Sequence, residues 1–332
     1  MVSSSRSALS SVKGGPFMQT TVDTTPRPTP QLSGAHRLRR YWYLNGLAYG
    51  LILPALLFLL AIEFIPLVTG LKESLYFHSR VLPWLTHFVG LGNFVQAFHD
   101  YDVWVSLKTS VIMVVGIVGL SYALGLLAGV LLNQKMRLSG VYRAVILVPW
   151  VVPFVVSFIS WQWMLNDQTG VINQILLQLH IIQAPILWLA DPNLALLSVI
   201  VVGTWQQYPF LMITVLAALS SISGDVNEAA AMDGATRWQT FRYITFPLIL
   251  PVSIIATLLQ AIWTFNNFGL PFVLTGGGPA NATTPLILLA YKEAFQHFDI
   301  GYGTTLAVIS MVLMLALGAV SLRMQARQNA YQ

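Results

Sequence analysis

The sequence predicts an all-α integral membrane protein with six transmembrane helices, and three observations carry that reading. Of its 332 residues, 17 are Lys or Arg and 12 are Asp or Glu, so 9% are charged against 56% apolar, where an ordinary soluble domain carries about 25% charged residues. Mean hydropathy is +0.69. The apolar residues lie in uncharged runs near the length of about 20 residues that a helix needs to cross the hydrocarbon core. The absence of cysteine excludes disulfides, thiolate metal sites and Cys nucleophiles.

In order along the chain, residues 1–40 are rich in Ser, Thr, Pro and Gly and are expected to form a disordered cytoplasmic tail, since they cannot bury enough apolar surface to fold. No signal-peptide core opens the chain, and either Met1 or Met18 suits as the start. The first transmembrane helix is expected within 41–71, its uncharged run covering 41–62 and placing Glu63 at the outer, solvated end. An extracytoplasmic loop follows over 72–103. A core over 104–323 holds five further spans, with uncharged runs at 111–132, 144–165, 194–222, 246–274 and 300–322, and a tail closes the chain over 324–332. The stretch 171–190 is apolar, but Asn173, Gln174, Gln178, His180 and Gln183 crowd it, so it reads as a helix at the interface with its amides wet. Pro54, Pro149, Pro153, Pro209 and Pro251 are candidate kinks.

Basic residues set the direction. With the N-terminus inside, Arg6, Lys13, Arg27, Arg37, Arg39, Arg40, Lys135, Arg137, Arg143, Arg237, Arg242, Arg323 and Arg327 are cytoplasmic, leaving Lys72, Arg80, Lys108 and Lys292 outside. This is the positive-inside pattern, and it puts both termini in the cytoplasm.

The cytoplasmic loop over 223–247 reads as two short helices with a hinge. Asp225 suits an N-cap with Glu228 three residues on, followed by Ala229, Ala230 and Ala231. Gly234 suits the left-handed residue that ends a helix. Thr236 with Gln239 repeats the capping pattern, and Pro247 and Pro251 fit the first turns of the fifth span. A capped helix of tiny side chains is a knob that another protein can grip, although any cytoplasmic loop needs capped turns.

The run Glu228-Ala-Ala-x-x-Asp233-Gly234-Ala235, then Phe241, Ile244 and Pro247, resembles the EAA loop of permease subunits of bacterial ABC importers. That resemblance implies a type I ABC importer permease fold, with Glu228, Ala229, Ala230, Asp233, Gly234, Ala235, Phe241 and Pro247 docking into the cytoplasmic ATPase. Phe246 stands where the family usually has Leu, and Ile222-Ser223 replaces a frequent Ile-Pro. The resemblance runs from about residue 101 to 323. It extends through Thr264-Phe-Asn-Asn267-Phe-Gly-Leu-Pro-Phe-Val-Leu-Thr-Gly-Gly-Gly-Pro279, which is similar to the carbohydrate-uptake branch and to the larger membrane subunit of maltose-type transporters, without a large extracytoplasmic insertion.

Polar residues inside spans mark a wet path by default. The fourth span carries Trp205, Gln206, Gln207 and Tyr208, and the fifth Gln260, Thr264, Asn266 and Asn267. A sugar is met by amides at its hydroxyls and by flat aromatic faces. By local resemblance to the maltose permease, the lining falls on Trp150, Phe154, Gln206, Gln207, Phe210, Trp263, Thr264 and Asn267. The glutamines replace an aliphatic residue and a glycine there, so the ligand can differ from maltose. Amides in spans also glue helices together, and Trp150 or Trp263 can simply pack.

What the resemblance implies is a permease subunit of an ATP-driven carbohydrate importer in the bacterial cytoplasmic membrane. Its partners would be a second homologous permease, two ABC ATPase subunits carrying ATP and Mg, and an extracytoplasmic solute-binding protein, with no nucleic acid involved. The chain itself carries no metal site, no cofactor and no Walker-type phosphate loop, so it is expected not to be an enzyme. Gly276 to Gly278 with Pro279 read as an extracytoplasmic turn. An ion-coupled secondary transporter would need buried ionisable residues at midplane, and a membrane hydrolase a catalytic constellation; spans two to six offer neither. An ABC permease for an amino acid, an inorganic anion or a glycerol phosphate stays open.

Overall fold

The computed structural model describes residues 34–79, 81, 83–134 and 136–329. The expected tail therefore lies outside the described residues up to residue 33, as do Arg80, Lys135 and the last three residues. The side chains of Arg37, Arg39, Arg40 and Arg327 lie outside them too. The chain divides into two units within its first helix, after Ile62.

Among the described residues, five helices are long and apolar enough to cross a membrane, and a bent pair counts as a sixth span when its two helices are taken together. Helix α1 covers Gly34–Glu73, so Glu63 is not at its end. A single carboxylate does not terminate a helix whose backbone ladder continues, and the apolar stretch runs Tyr49–Glu73. The segment after α1 then holds a small hairpin, β1 (Tyr76–Phe77) paired antiparallel with β2 (His87–Phe88), and α2 (Gly92–His99). Glu73 and His78 are 2.6 Å apart beside the hairpin.

Helix α3, Tyr101–Leu132, starts ten residues before the uncharged run, because Asp100 caps it by accepting from the Asp102 N–H. Lys108 thus sits near the N-terminal end of that helix. Helix α7, Pro192–Ser220, is capped by Asp191, which accepts from the Asn193 and Leu194 N–H groups, with Pro192 in its first turn. These two helices pack closely. A Cβ on Gly125 would lie 2.8 Å from the Leu211 Cβ and 2.9 Å from the Met212 backbone nitrogen. Without a water-driven force between helices, such small-residue contact is what lets backbones approach and gain dispersion energy.

The third span is not one straight helix. Helices α4 (Ser139–Val151) and α5 (Phe154–Met164) meet at 89°. Pro153 lacks an N–H and drives the preceding residue out of the helical region, and Val152 is extended at φ −65°, ψ 136°. Pro149, Pro209 and Pro251, by contrast, sit inside continuous helices.

The interfacial stretch forms only α6, Val171–Gln178, and one of its amides is dry. Asn173, 1% exposed, donates to the Asp167 and Ile186 carbonyls and accepts from the Ile186 N–H and the Trp188 indole N–H, all at 3.0–3.2 Å. It folds the segment between α5 and α7 as a buried hub.

The loop after α7 forms α8 (Gly224–Met232), α9 (Arg237–Thr240) and a π-helical turn, Phe241–Thr245, leading into α10 (Phe246–Phe265). Helix α10 ends before the predicted fifth span does. After a turn, α11 (Gly269–Thr275) resumes, because the Asn267 carboxamide oxygen takes the Leu270 N–H, a capping bond of 3.0 Å. Helices α12 (Leu286–Tyr291) and α13 (Ile300–Asn329) complete the chain. The glycine-rich turn between α11 and α12 is knotted by hydroxyls: Thr283 donates to the Gly278 carbonyl and Thr284 to that of Gly277. Lys292 donates to the Asn281 Oδ1 and Thr284 Oγ1, both 3.1 Å, and burial pulls its ammonium below the usual lysine range.

Candidate functional site

Two regions gather the residues singled out from sequence. The first lies where α4, α5, α7, α10 and the turn into α11 meet. Trp150 on α4, Phe210 on α7 and Trp263 on α10 form an aromatic strip, with ring centroids 6.3 Å apart for the first pair and 5.2 Å for the second. Trp150 and Trp263 are about half exposed, so their faces are available to something other than this chain's own core.

Beside the strip, the buried Thr264 hydroxyl donates to the Gln207 Oε1 at 2.9 Å. That hydroxyl is spent on holding α10 to α7, while the Gln207 amide donors are not. A second group surrounds a cleft of about 340 Å³ lined by Phe154, Phe158, Gln206, Asn266, Asn267, Phe268 and Gly269. Of the eight residues expected to line a path, three belong to the aromatic strip, two to the Thr264–Gln207 bond and three (Phe154, Gln206, Asn267) to this cleft. Asn267 uses its oxygen as a cap and keeps its amide donors.

Sequence reasoning missed Phe158 and Phe268, whose apolar runs gave no reason to prefer them over their neighbours. It noticed Gln260 without placing it. That residue is 1% exposed on α10, and neither its Nε2 nor its Oε1 has a hydrogen-bond partner. A buried polar group left unpaired costs roughly 1–3 kcal/mol.

The second region is the loop over residues 223–247. Helix α8 begins after Ser223 and not after Asp225, which lies in its first turn, and no side chain caps it. The start falls earlier because Ser223 already has the extended backbone of an N-cap (φ −64°, ψ 145°). Its other end is a full Schellman motif: Gly234, at φ +77°, donates to the Ala231 carbonyl, and Ala235 donates to that of Ala230. The expected box at Thr236 and Gln239 is present in both directions. Pro247 lies in the first turn of α10, whereas Pro251 is its sixth residue.

Glu228, Ala229, Asp233, Gly234 and Pro247 are exposed, Ala235 and Phe241 are half-buried, and Ala230 is buried against the chain itself. The motif therefore splits, with Ala230 seating the helix and the carboxylates facing outward. Met232, at the tip of α8, is 88% exposed, and Trp238 and Tyr243 are also exposed.

Comparison with known proteins places this geometry. The family model described as binding-protein-dependent transport system inner membrane component matches residues 121–329. The trehalose/maltose transport system permease protein MalF of Thermococcus litoralis is 35% identical over 277 residues, covering 83% of this chain and 92% of that protein. The lactose transport system permease protein LacF of Rhizobium radiobacter is 34% identical over 283 residues, covering 84% of this chain and 93% of that one. Among solved structures, a chain of a bacterial alginate ABC transporter, in complex with a periplasmic protein bound to an alginate pentasaccharide, superposes with a TM-score of 0.76. It is 21% identical and covers 88% of this chain and 98% of that chain. That likeness bears on the fold: the helices described above are those of a type I ABC importer permease.

Proposed function

The chain belongs to the family of binding-protein-dependent transport system inner membrane components, and from that premise we propose that it is a permease subunit carrying a carbohydrate through the cytoplasmic membrane. The observation that carries the substrate class is the strip Trp150–Phe210–Trp263 set beside the amides of Gln206, Gln207 and Asn267. Apolar ring faces suit the C–H faces of a sugar and carboxamides suit its hydroxyls. The relatives named for trehalose, maltose and lactose transport support the same reading.

In this reading both termini are cytoplasmic. Helix α8 docks on an ATPase subunit through Glu228, Ala229, Asp233 and Gly234, with Met232 as its apolar tip, and Phe241 and Pro247 brace the turn behind it. A second homologous permease completes the path, two ATPase copies supply ATP and Mg chemistry, and an extracytoplasmic binding protein delivers substrate. Closure of the ATPase pair moves α8 as a lever, and the spans rock between inward- and outward-facing forms.

The test is uptake of a panel of labelled sugars, polyols, amino acids and glycerol phosphate by a strain deleted for this chain. Loss confined to a carbohydrate, restored by the gene, is the expected result. Loss confined to an amino acid or to glycerol phosphate would overturn the substrate class.

A further inference from the structure

The buried face of α10 runs through Ile249, Ser253, Ala256, Gln260 and Thr264, steps of three and four that keep one side of a helix. Ile249 packs with Val215 and Leu219 of α7, and the small residues at 253 and 256 let α10 lie close to its neighbours. At the far end of this stripe Thr264 gives its hydroxyl proton to the Gln207 Oε1 of α7. One turn earlier on the same face, Gln260 is buried with both polar atoms unpaired. Helix α10 thus presents two polar stations a turn apart to one side, and only one of them is in use.

Packed helices do not slide continuously. Their interfaces are bistable and shift between discrete arrangements, including steps of one turn, about 5.4 Å. Such a step would move the Gln207 carboxamide from Thr264 to Gln260, exchanging a single hydroxyl–carbonyl bond for an amide–amide pair in which each side chain has both donor and acceptor.

We propose that Gln260 is a positioning residue for transport: the station to which Gln207 of α7 moves in the alternate conformation of the cycle, so that its carboxamide is paired there and unpaired here. This rests on the reading of the chain as a transport subunit. A carboxamide kept only for packing, or satisfied by a fixed neighbour in every state, would behave differently on substitution.

The experiment uses the assembled importer in lipid vesicles with its binding protein, comparing wild type with Gln260→Met, which keeps the side chain's length and removes both polar atoms. The expected result is a Vmax of ATP-driven sugar uptake lowered about fivefold or more, a half-saturation within twofold of wild type, and a melting temperature of the solubilised complex that is equal or higher. In a Gln207→Met background the Gln260→Met change should add no further loss of Vmax, because the two residues act as one pair. An unchanged Vmax for Gln260→Met would overturn the proposal. So would a melting temperature that falls together with Vmax, or losses that multiply in the double variant. Wild-type uptake in the same vesicles carries the transport reading separately, and its absence would overturn that reading and this inference with it.

Discussion

Substituting Gly234 by Val isolates the role of the loop over residues 223–247. Gly234 holds φ +77°, and its N–H closes on the Ala231 carbonyl at 3.1 Å while Ala235 closes on that of Ala230 at 3.0 Å. A Cβ there would meet nothing within 4 Å, so no clash adds to the backbone cost. Placing an L residue in this left-handed region costs on the order of 1–2 kcal/mol, and a β-branched side chain lies at the upper end. At roughly 5- to 30-fold per 1–2 kcal/mol, the equilibrium constant for the capped geometry of α8 falls by that factor, and uptake rate falls by up to as much. Membrane insertion and the amount of protein stay as in wild type, since the loop lies outside the spans. Asn tolerates the left-handed region, so Gly234→Asn should retain most of the activity. The assay is initial uptake of labelled sugar in cells, normalised to the chain's membrane level. Wild-type uptake by Gly234→Val, or equal impairment of the Asn variant, would refute the argument.

Other perturbations follow from the same geometry. Asn173→Leu removes four hydrogen bonds from a buried hub at about 1 kcal/mol each, so thermal unfolding of the solubilised protein should show a loss of roughly 2–4 kcal/mol; an unchanged melting temperature would contradict the hub. Gly125→Val would drive a side chain against the Leu211 and Met212 backbone region, and overpacking of this kind costs about 1–3 kcal/mol. The yield of monodisperse protein on size-exclusion chromatography should drop, and a normal yield would refute the close approach of α3 and α7. Trp263→Ala removes one face of the aromatic strip, and with about 1.4 kcal/mol per tenfold the half-saturation for uptake should rise about tenfold with little change in Vmax. A change in Vmax alone would point to packing.

The six spans were legible because charge is too scarce to hide them and each run is near bilayer length. What stayed illegible was set by single residues acting through backbone geometry. Pro153 turned the third span by 89°, Asn267 ended the fifth by capping a new helix, and Asp100 began the second ten residues early. A Pro or Asn in an apolar run is compatible with a straight helix or a broken one, and only tertiary packing decides.

Asn173 counted as polar in composition yet is dry in the fold, because its four hydrogen bonds are made to two other stretches of the chain, at Asp167 and at Ile186–Trp188. The loop grammar was more readable: Gly234 and the Thr236–Gln239 box act within a few residues, where local rules hold. The spacing Gly125-x-x-x-Gly129 was a signal for the α3–α7 contact that composition alone does not raise. In the candidate path the residue types were legible, while the division of Thr264 and Asn267 between lining and helix bonding required coordinates.

The central claim is ATP-driven carbohydrate import through a path that this chain helps to form. The most direct measurement is uptake of labelled sugar into proteoliposomes holding this chain with its partner permease and ATPase, the binding protein being supplied outside. Uptake that requires ATP inside and the binding protein outside, and that disappears when this chain is omitted, is the predicted result. Uptake that proceeds without ATP on an imposed proton or sodium gradient would contradict the account.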